Sequence, residues 1–139
     1  MTDHTWFRAG AWCWILTGTG HLLGDIFLRA TGGDPAIDAH LRAHALDLMG
    51  TQRTYYQLMM SFSLAMGIAL VFVGILLLQL ARHVRDTRPS AVLALAMSAI
   101  SLTMSIWLDP PPPIILFTVA CVCFGMSLRT LPARQEARP

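Results

Sequence analysis

Charged residues are scarce in this chain, and their scarcity excludes most classes of soluble protein. Only 13% of the 139 residues are Asp, Glu, Lys or Arg, and 55% are hydrophobic, whereas soluble domains average about 25% charged residues. Lysine is absent, and Glu136 is the only glutamate. The composition therefore indicates a membrane protein. A basic set made entirely of arginine is typical of a GC-rich bacterial genome.

Missing residue types also exclude several kinds of cofactor site. A di-iron carboxylate bundle needs Glu and Glu-x-x-His motifs inside the helices, and Glu136 lies in the C-terminal tail. A bis-histidine haem needs a second histidine at the depth of His21, and none of the other apolar stretches has one. Cys121 and Cys123 are two residues apart and Cys13 is distant, so no C-x-x-C redox pair exists. We expect no cofactor.

Four apolar stretches dominate the chain, and each is about long enough to cross a bilayer core, which takes roughly 20 helical residues. They cover residues 7–28, 55–81, 90–108 and 112–128. These stretches consume most of residues 1–139, so we expect one membrane domain. The predicted fold is all-α, a transmembrane four-helix bundle.

The connection after the first stretch is long enough to contain structure of its own. Asp34 is a good N-cap, Pro35 suits the first helical position, and Gly50 can close a C-terminus. Apolar residues recur there at helical spacing. The pattern predicts a short helix over about residues 35–49, lying in the membrane interface.

The arginines predict the orientation of the bundle. Three arginines follow the second stretch and three lie in the tail. In the first connection three arginines are offset by Asp34, Asp38 and Asp47, and the third connection contains no base. By the positive-inside rule, both termini are cytoplasmic. The first apolar stretch is too long for a cleavable signal peptide. We therefore expect a multi-pass protein of the bacterial inner membrane.

Polar residues recur at steps of four inside three of the predicted spans, so each series follows one face of its helix. The series are Thr17, His21, Asp25 and Arg29; Arg53, Gln57 and Ser61; and Ser101, Ser105 and Asp109. All three reach the outer half of the bilayer. They predict an outward-facing polar pocket between the first three spans, with Thr17, Arg53, Tyr55, Gln57, Ser105 and Asp109 as substrate-binding residues.

His21 and Asp25 are the predicted catalytic pair of this pocket. Ionisable residues at membrane depth are functional candidates by default, and an imidazole oriented by a carboxylate can transfer protons near neutral pH. The alternative is structural. In that interpretation both side chains form hydrogen bonds across the bundle, Asp25 pairs with Arg29, and Asp109 caps a turn.

His40 and His44 are four residues apart, and Asp47 follows three residues later. That spacing would place two imidazoles and a carboxylate on one side of the interfacial helix, where zinc could bind. The signal is weak, so we expect two interfacial histidines and no metal.

The segments "GTGHLLGD" and "LMGTQRTYYQLMMSFSLAMGIALVFVGILLLQLAR" resemble a family of bacterial four-helix membrane proteins, similar in outline to the DoxX-like group. The matching positions are Gly20, His21, Met49, Gly50, Arg53 and Tyr55. Members more often carry an aromatic-rich "YW-x-FY" where this chain has "YYQLM". The resemblance covers roughly the first 80 residues. It implies the four-helix fold and the importance of His21 and Arg53, and it implies no activity.

Two classes of function agree with these features. In the first, the protein is a small membrane enzyme that uses acid-base chemistry on a lipophilic substrate such as an isoprenoid, a quinone, a sterol-like or a fatty compound. It would be a cofactor-independent isomerase, cyclase or hydrolase. In the second, it is a non-catalytic subunit or lipid-binding partner of a larger membrane complex. The expected partners are membrane lipid, a lipophilic small molecule, a second copy or another membrane protein, and not nucleic acid.

Overall fold

Five helices and one β-hairpin make up the computed structural model, which describes residues 3–32, 34–84, 87–108 and 111–130. The elements in chain order are α1 (Asp3–Thr31), α2 (Pro35–Ala43), β1 (Ala45–Leu48), β2 (Thr51–Thr54), α3 (Tyr55–His83), α4 (Arg88–Leu108) and α5 (Pro111–Thr130). A long helix covers almost all of each predicted span.

Three of the long helices are apolar enough to cross a membrane. These are α3, α4 and α5, whose most apolar segments have mean hydropathies of 2.6, 2.0 and 1.8. Among the described residues, α1 does not join this group, although it is as long as α3. It contains Arg8, Asp25, Arg29 and several glycines and threonines, which lower its hydropathy. The protein thus has three candidate spans, and a fourth through α1 stays a prediction.

The expected interfacial helix over residues 35–49 is only partly present. Asp34 caps α2 as predicted, and its side chain accepts a hydrogen bond from the Ala36 N–H at 2.9 Å. The helix nevertheless ends at Ala43, and an antiparallel hairpin of β1 and β2 follows. Met49 and Gly50 both have positive φ at its turn, as a two-residue hairpin turn of the primed type requires. Gly50 therefore closes a hairpin and does not end a helix.

The long helices form an open row with the order α3, α1, α5, α4. Helix α1 packs against α3 on one side and α5 on the other, and α4 packs mainly against α5. The predicted polar pocket required α4 to lie beside both α1 and α3, whereas α4 packs mainly on α5 and reaches α1 at Ser98. That predicted geometry was wrong. The buried residues of α4 are Ala91, Ala94, Ser98 and Ser105, whose small side chains permit close packing between helices.

Aromatic contacts hold α1 to α5. The rings of Phe7 and Phe124, and those of Trp14 and Phe117, meet edge to face with centroids 5.3 Å apart in both pairs. The Trp14 indole N–H also donates to the Ser98 hydroxyl at 2.9 Å, which links α1 to α4. Since a buried indole N–H needs a partner, this bond fixes the position of Trp14 in the core.

These ring pairs set an antiparallel register in which Pro111, at the start of α5, lies level with about Gly20 of α1. The last eleven residues of α1 therefore extend past α5, by roughly 15 Å at 1.5 Å per residue. Leu23 and Phe27 on this extension are 60% and 66% exposed. Among the described elements, α3 and the α2–hairpin segment accompany α1 at this end of the protein.

Helices α1 and α3 approach each other closely at glycines. A Cβ atom on Gly74 would lie 2.5 Å from the Ile15 side chain and 2.9 Å from the Ala11 carbonyl oxygen. The second of these atoms belongs to backbone and cannot rotate away. Gly74 therefore sets the separation of the two helices.

Replacing Gly74 with alanine should force α1 and α3 apart. Overpacking typically costs about 1–3 kcal/mol, so we expect G74A to lower the melting temperature of the detergent-solubilised protein. G125A is the matched control, because a Cβ on Gly125 of α5 would meet no atom within 4 Å. Equal melting temperatures for the two variants would contradict this account of the helix contact.

Candidate functional site

A groove of about 640 Å³ lies where the end of α1 meets α2 and the start of α3. We call it the α1–α2–α3 groove. Its lining residues are Asp25, Leu28, Arg29, Gly32, Asp38, Leu41, Arg42, Tyr56, Met59, Met60 and Ser63. Five of these side chains are charged or aromatic and four are aliphatic or thioether. The groove is therefore amphipathic.

His21 and Ser63 form a cross-helix hydrogen bond beside the groove. His21 Nε2 lies 3.0 Å from Ser63 Oγ, and both residues are half-buried. His21 also packs on α3 near Gly67, where an added Cβ would come within 3.2 Å of the imidazole. Other hydroxyls of the long helices, such as those of Thr17, Ser61 and Thr103, donate to the carbonyl one turn earlier in their own helix. Ser63 differs because its hydroxyl faces an imidazole.

Asp25 pairs with Arg29 and not with His21. The Arg29 Nη2 group donates to Asp25 Oδ2 at 2.6 Å, a short charge-assisted bond between residues one turn apart. The predicted orientation of His21 by Asp25 is thus replaced by two separate contacts, His21 with Ser63 and Asp25 with Arg29. Asp25 still lines the groove, and the Asp25–Arg29 pairing is the one that the structural alternative expected.

The remaining predicted binding residues are dispersed. Arg53 and Gln57 line a second depression of about 650 Å³ beneath the hairpin, and Gln57 also completes a capping box with Thr54. Tyr55 is exposed and lines neither cavity.

Two further predicted binding residues form hydrogen bonds within their own helices, and a third is outside the described residues. Thr17 is buried and donates to the Cys13 carbonyl at 2.8 Å. Ser105 is buried on α4 and donates to the Ser101 carbonyl, also at 2.8 Å. Asp109 lies outside the described residues. The predicted series therefore do not converge on one site.

Sequence reasoning missed three residues that the structure brings to the groove. These are Arg42, Tyr56 and Ser63, none of which the sequence pattern assigns to the site. The guanidinium carbon of Arg42 lies 3.8 Å from the centroid of the Tyr56 ring. Apolar spacing on α2 predicted a helix there, but no pattern indicated which α3 residue it would contact.

The histidines of α2 have structural partners. The rings of His40 and His44 lie 4.4 Å apart, and His44 Nδ1 donates to the His40 carbonyl at 2.9 Å. The Asp47 carboxylate accepts the Gly50 N–H at the hairpin turn. Within the described part of the chain, no group of three or more His, Cys, Asp or Glu side chains is arranged to hold a metal ion.

Comparison with family models, with curated proteins and with solved structures finds no match for this chain.

Coupling between His21 and Ser63 can be measured with a double-mutant cycle on the unfolding free energy. Polar contacts between membrane helices average about 0.6 kcal/mol and reach about 1.7 kcal/mol, so H21A and S63A should be non-additive by about that amount. S61A is the control, since the Ser61 hydroxyl donates to its own helix, and it should add to H21A. Strict additivity of H21A and S63A would show that the hydrogen bond contributes nothing.

Proposed function

We propose that this protein is a small membrane enzyme that acts by acid-base chemistry on a lipophilic substrate held in the α1–α2–α3 groove. The observation that carries the proposal is the position of His21. Its imidazole is hydrogen-bonded to the Ser63 hydroxyl beside the amphipathic groove. The groove lies at the end of the protein where α1 and α3 extend past α4 and α5.

The shape and chemistry of the groove favour an elongated amphiphile. Charged and aromatic side chains of α1, α2 and α3 form one part of its wall, and Leu28, Leu41 and Met59 form another. Leu28 and Met59 are 62% and 59% exposed, so the apolar wall is continuous with the outer surface of the helices. A molecule with a polar head and an apolar tail can then enter from the bilayer without burying its head in hydrocarbon.

His21 is the proposed acid or base. An imidazole can take a proton from a substrate and return it at another atom, as isomerisation and cyclisation require. In hydrolysis it can take a proton from the attacking water and give it to the leaving group. In the absence of substrate, the Ser63 hydroxyl keeps the ring hydrogen-bonded. In this scheme Asp25 has an indirect role, because it pairs with Arg29 and holds that side chain at the groove wall.

The proposal includes an orientation. With both termini in the cytoplasm, the groove and the hairpin face the outside of a bacterial inner membrane, as the arginine distribution favours. The resemblance to the DoxX-like group agrees with this arrangement, because His21 is one of the matching positions and lies on α1 next to the groove. Arg53 of the same motif lies in the adjacent depression.

A non-catalytic subunit or lipid-binding partner is the second candidate, and one observation favours it. A Cβ atom on Gly20 or Gly24 would meet no atom within 4 Å, although the two glycines form a G-x-x-x-G pattern. Such patterns support close helix pairing in membranes. This stretch of α1 could therefore contact a helix of another chain.

The experiment that tests the enzyme proposal compares wild type with H21A. Each purified protein is incubated with a total bacterial lipid extract, and the lipids are then compared by untargeted chromatography and mass spectrometry. We expect wild type to convert at least one lipophilic species that H21A leaves unchanged. The unfolding free energy of H21A should fall by no more than the contribution of one polar contact, about 0.6 kcal/mol.

H83A is the matched control, because His83 lies on the same chain at the other end of α3, away from the groove. It should convert lipid as wild type does. If wild type, H21A and H83A all leave the extract unchanged, the enzyme proposal is wrong and the subunit interpretation gains support. A large loss of stability in H21A with conversion intact would make His21 structural.

A further inference from the structure

The guanidinium group of Arg42 lies over the ring face of Tyr56. Its guanidinium carbon lies 3.8 Å from the ring centroid, which is a cation–π contact. A guanidinium that stacks by its face keeps its N–H donors in the plane of the group, where they remain free to bind a carboxylate or a phosphate. Both residues line the α1–α2–α3 groove.

The other charges of the groove make Arg42 the available cation. Arg29 donates to Asp25 at 2.6 Å. Among the described residues, no carboxylate lies within ion-pair distance of Arg42, although Asp38 is one turn earlier on α2 and lines the same groove. Asp38 would repel a headgroup of high negative charge, so the chemistry favours a ligand with a single negative charge.

We propose that the α1–α2–α3 groove selects an amphiphile whose headgroup has a net charge of −1, a phosphodiester without an attached cation or a carboxylate, and that Arg42 stacked on Tyr56 binds this headgroup. The inference rests on the proposed function, because it assumes that the groove holds a lipophilic molecule. The acyl or isoprenoid chain lies along Leu28, Leu41 and Met59, toward the exposed surface of α1 and α3.

The test is native mass spectrometry of the full chain in detergent, titrated with phosphatidylglycerol and with phosphatidylcholine of the same acyl chains. Hydrogen bonds to a charged group contribute about 1.5–3 kcal/mol, so we expect wild type to prefer phosphatidylglycerol by about tenfold or more. R42A should lose this preference. R42K keeps the charge without the planar donors and should retain only part of it.

Tyr56 variants test the stacking itself. Y56F keeps the ring and should bind phosphatidylglycerol as wild type does, whereas Y56L removes the ring and should weaken binding severalfold. R82A is the control for bulk charge, because Arg82 lies in the last turn of α3 and lines neither cavity. It should leave the preference unchanged. Melting temperatures of all five variants show whether each one is folded.

Four outcomes would overturn the inference. Equal binding of the two lipids by wild type would exclude headgroup selection while leaving the lipophilic groove intact. Equal losses in R42A and R82A would show general attraction of an anionic lipid to a basic surface. Binding of glycerol phosphate as tightly as phosphatidylglycerol would identify a site for a free phosphate ester and not for a lipid. If wild type binds neither lipid, the proposed function fails together with the inference.

Discussion

The close packing of α1 against α3 is the contact on which the rest of the molecule depends. Gly74 leaves no space for a side chain at this contact, so the two helices approach to backbone distance. That approach brings His21 within hydrogen-bonding distance of Ser63. It also aligns the end of α1 with the start of α3, so that Asp25 and Tyr56 line one groove.

Because the helices differ in length, one end of the protein contains much of the buried core and the other end contains the groove. Helices α1 and α3 have 29 residues each, whereas α4 and α5 have 21 and 20. All four are present where Phe7 and Phe124 pack, and this end contains much of the buried core. Past Pro111, α1 and α3 continue without α5, and α2 packs on α3 and borders the groove that α1 also lines. A chain with four helices of equal length would cover the α1 face that is open here.

The long helices could be predicted from the sequence because their apolar runs are local and much longer than any strand. The order of the helices could not be predicted, since it depends on which small-residue faces meet, and the spacing of small residues on α4 does not show which helix they will contact. The hairpin was missed because "LDLMGTQR" also fits the end of a helix, and only the positive φ of Met49 and Gly50 distinguishes the two. At the site, spacing predicted that His21 lies on one polar face of α1, and the structure has its imidazole next to Ser63 of α3. Spacing could not show that Ser63, and not Asp25, would be its partner, because that contact spans 42 residues.

The central claim is that the α1–α2–α3 groove, and not the general lipid-facing surface, holds the ligand of this protein. Photo-crosslinking tests it most directly, with a phosphatidylglycerol that carries a diazirine in its acyl chain and with unlabelled lipid as competitor. Peptide mapping should locate the competed labels on the segments that contain Leu28 and Met59, which line the groove. Competed labels confined to exposed residues of α4 and α5, such as Val92 and Ile115, would contradict the claim.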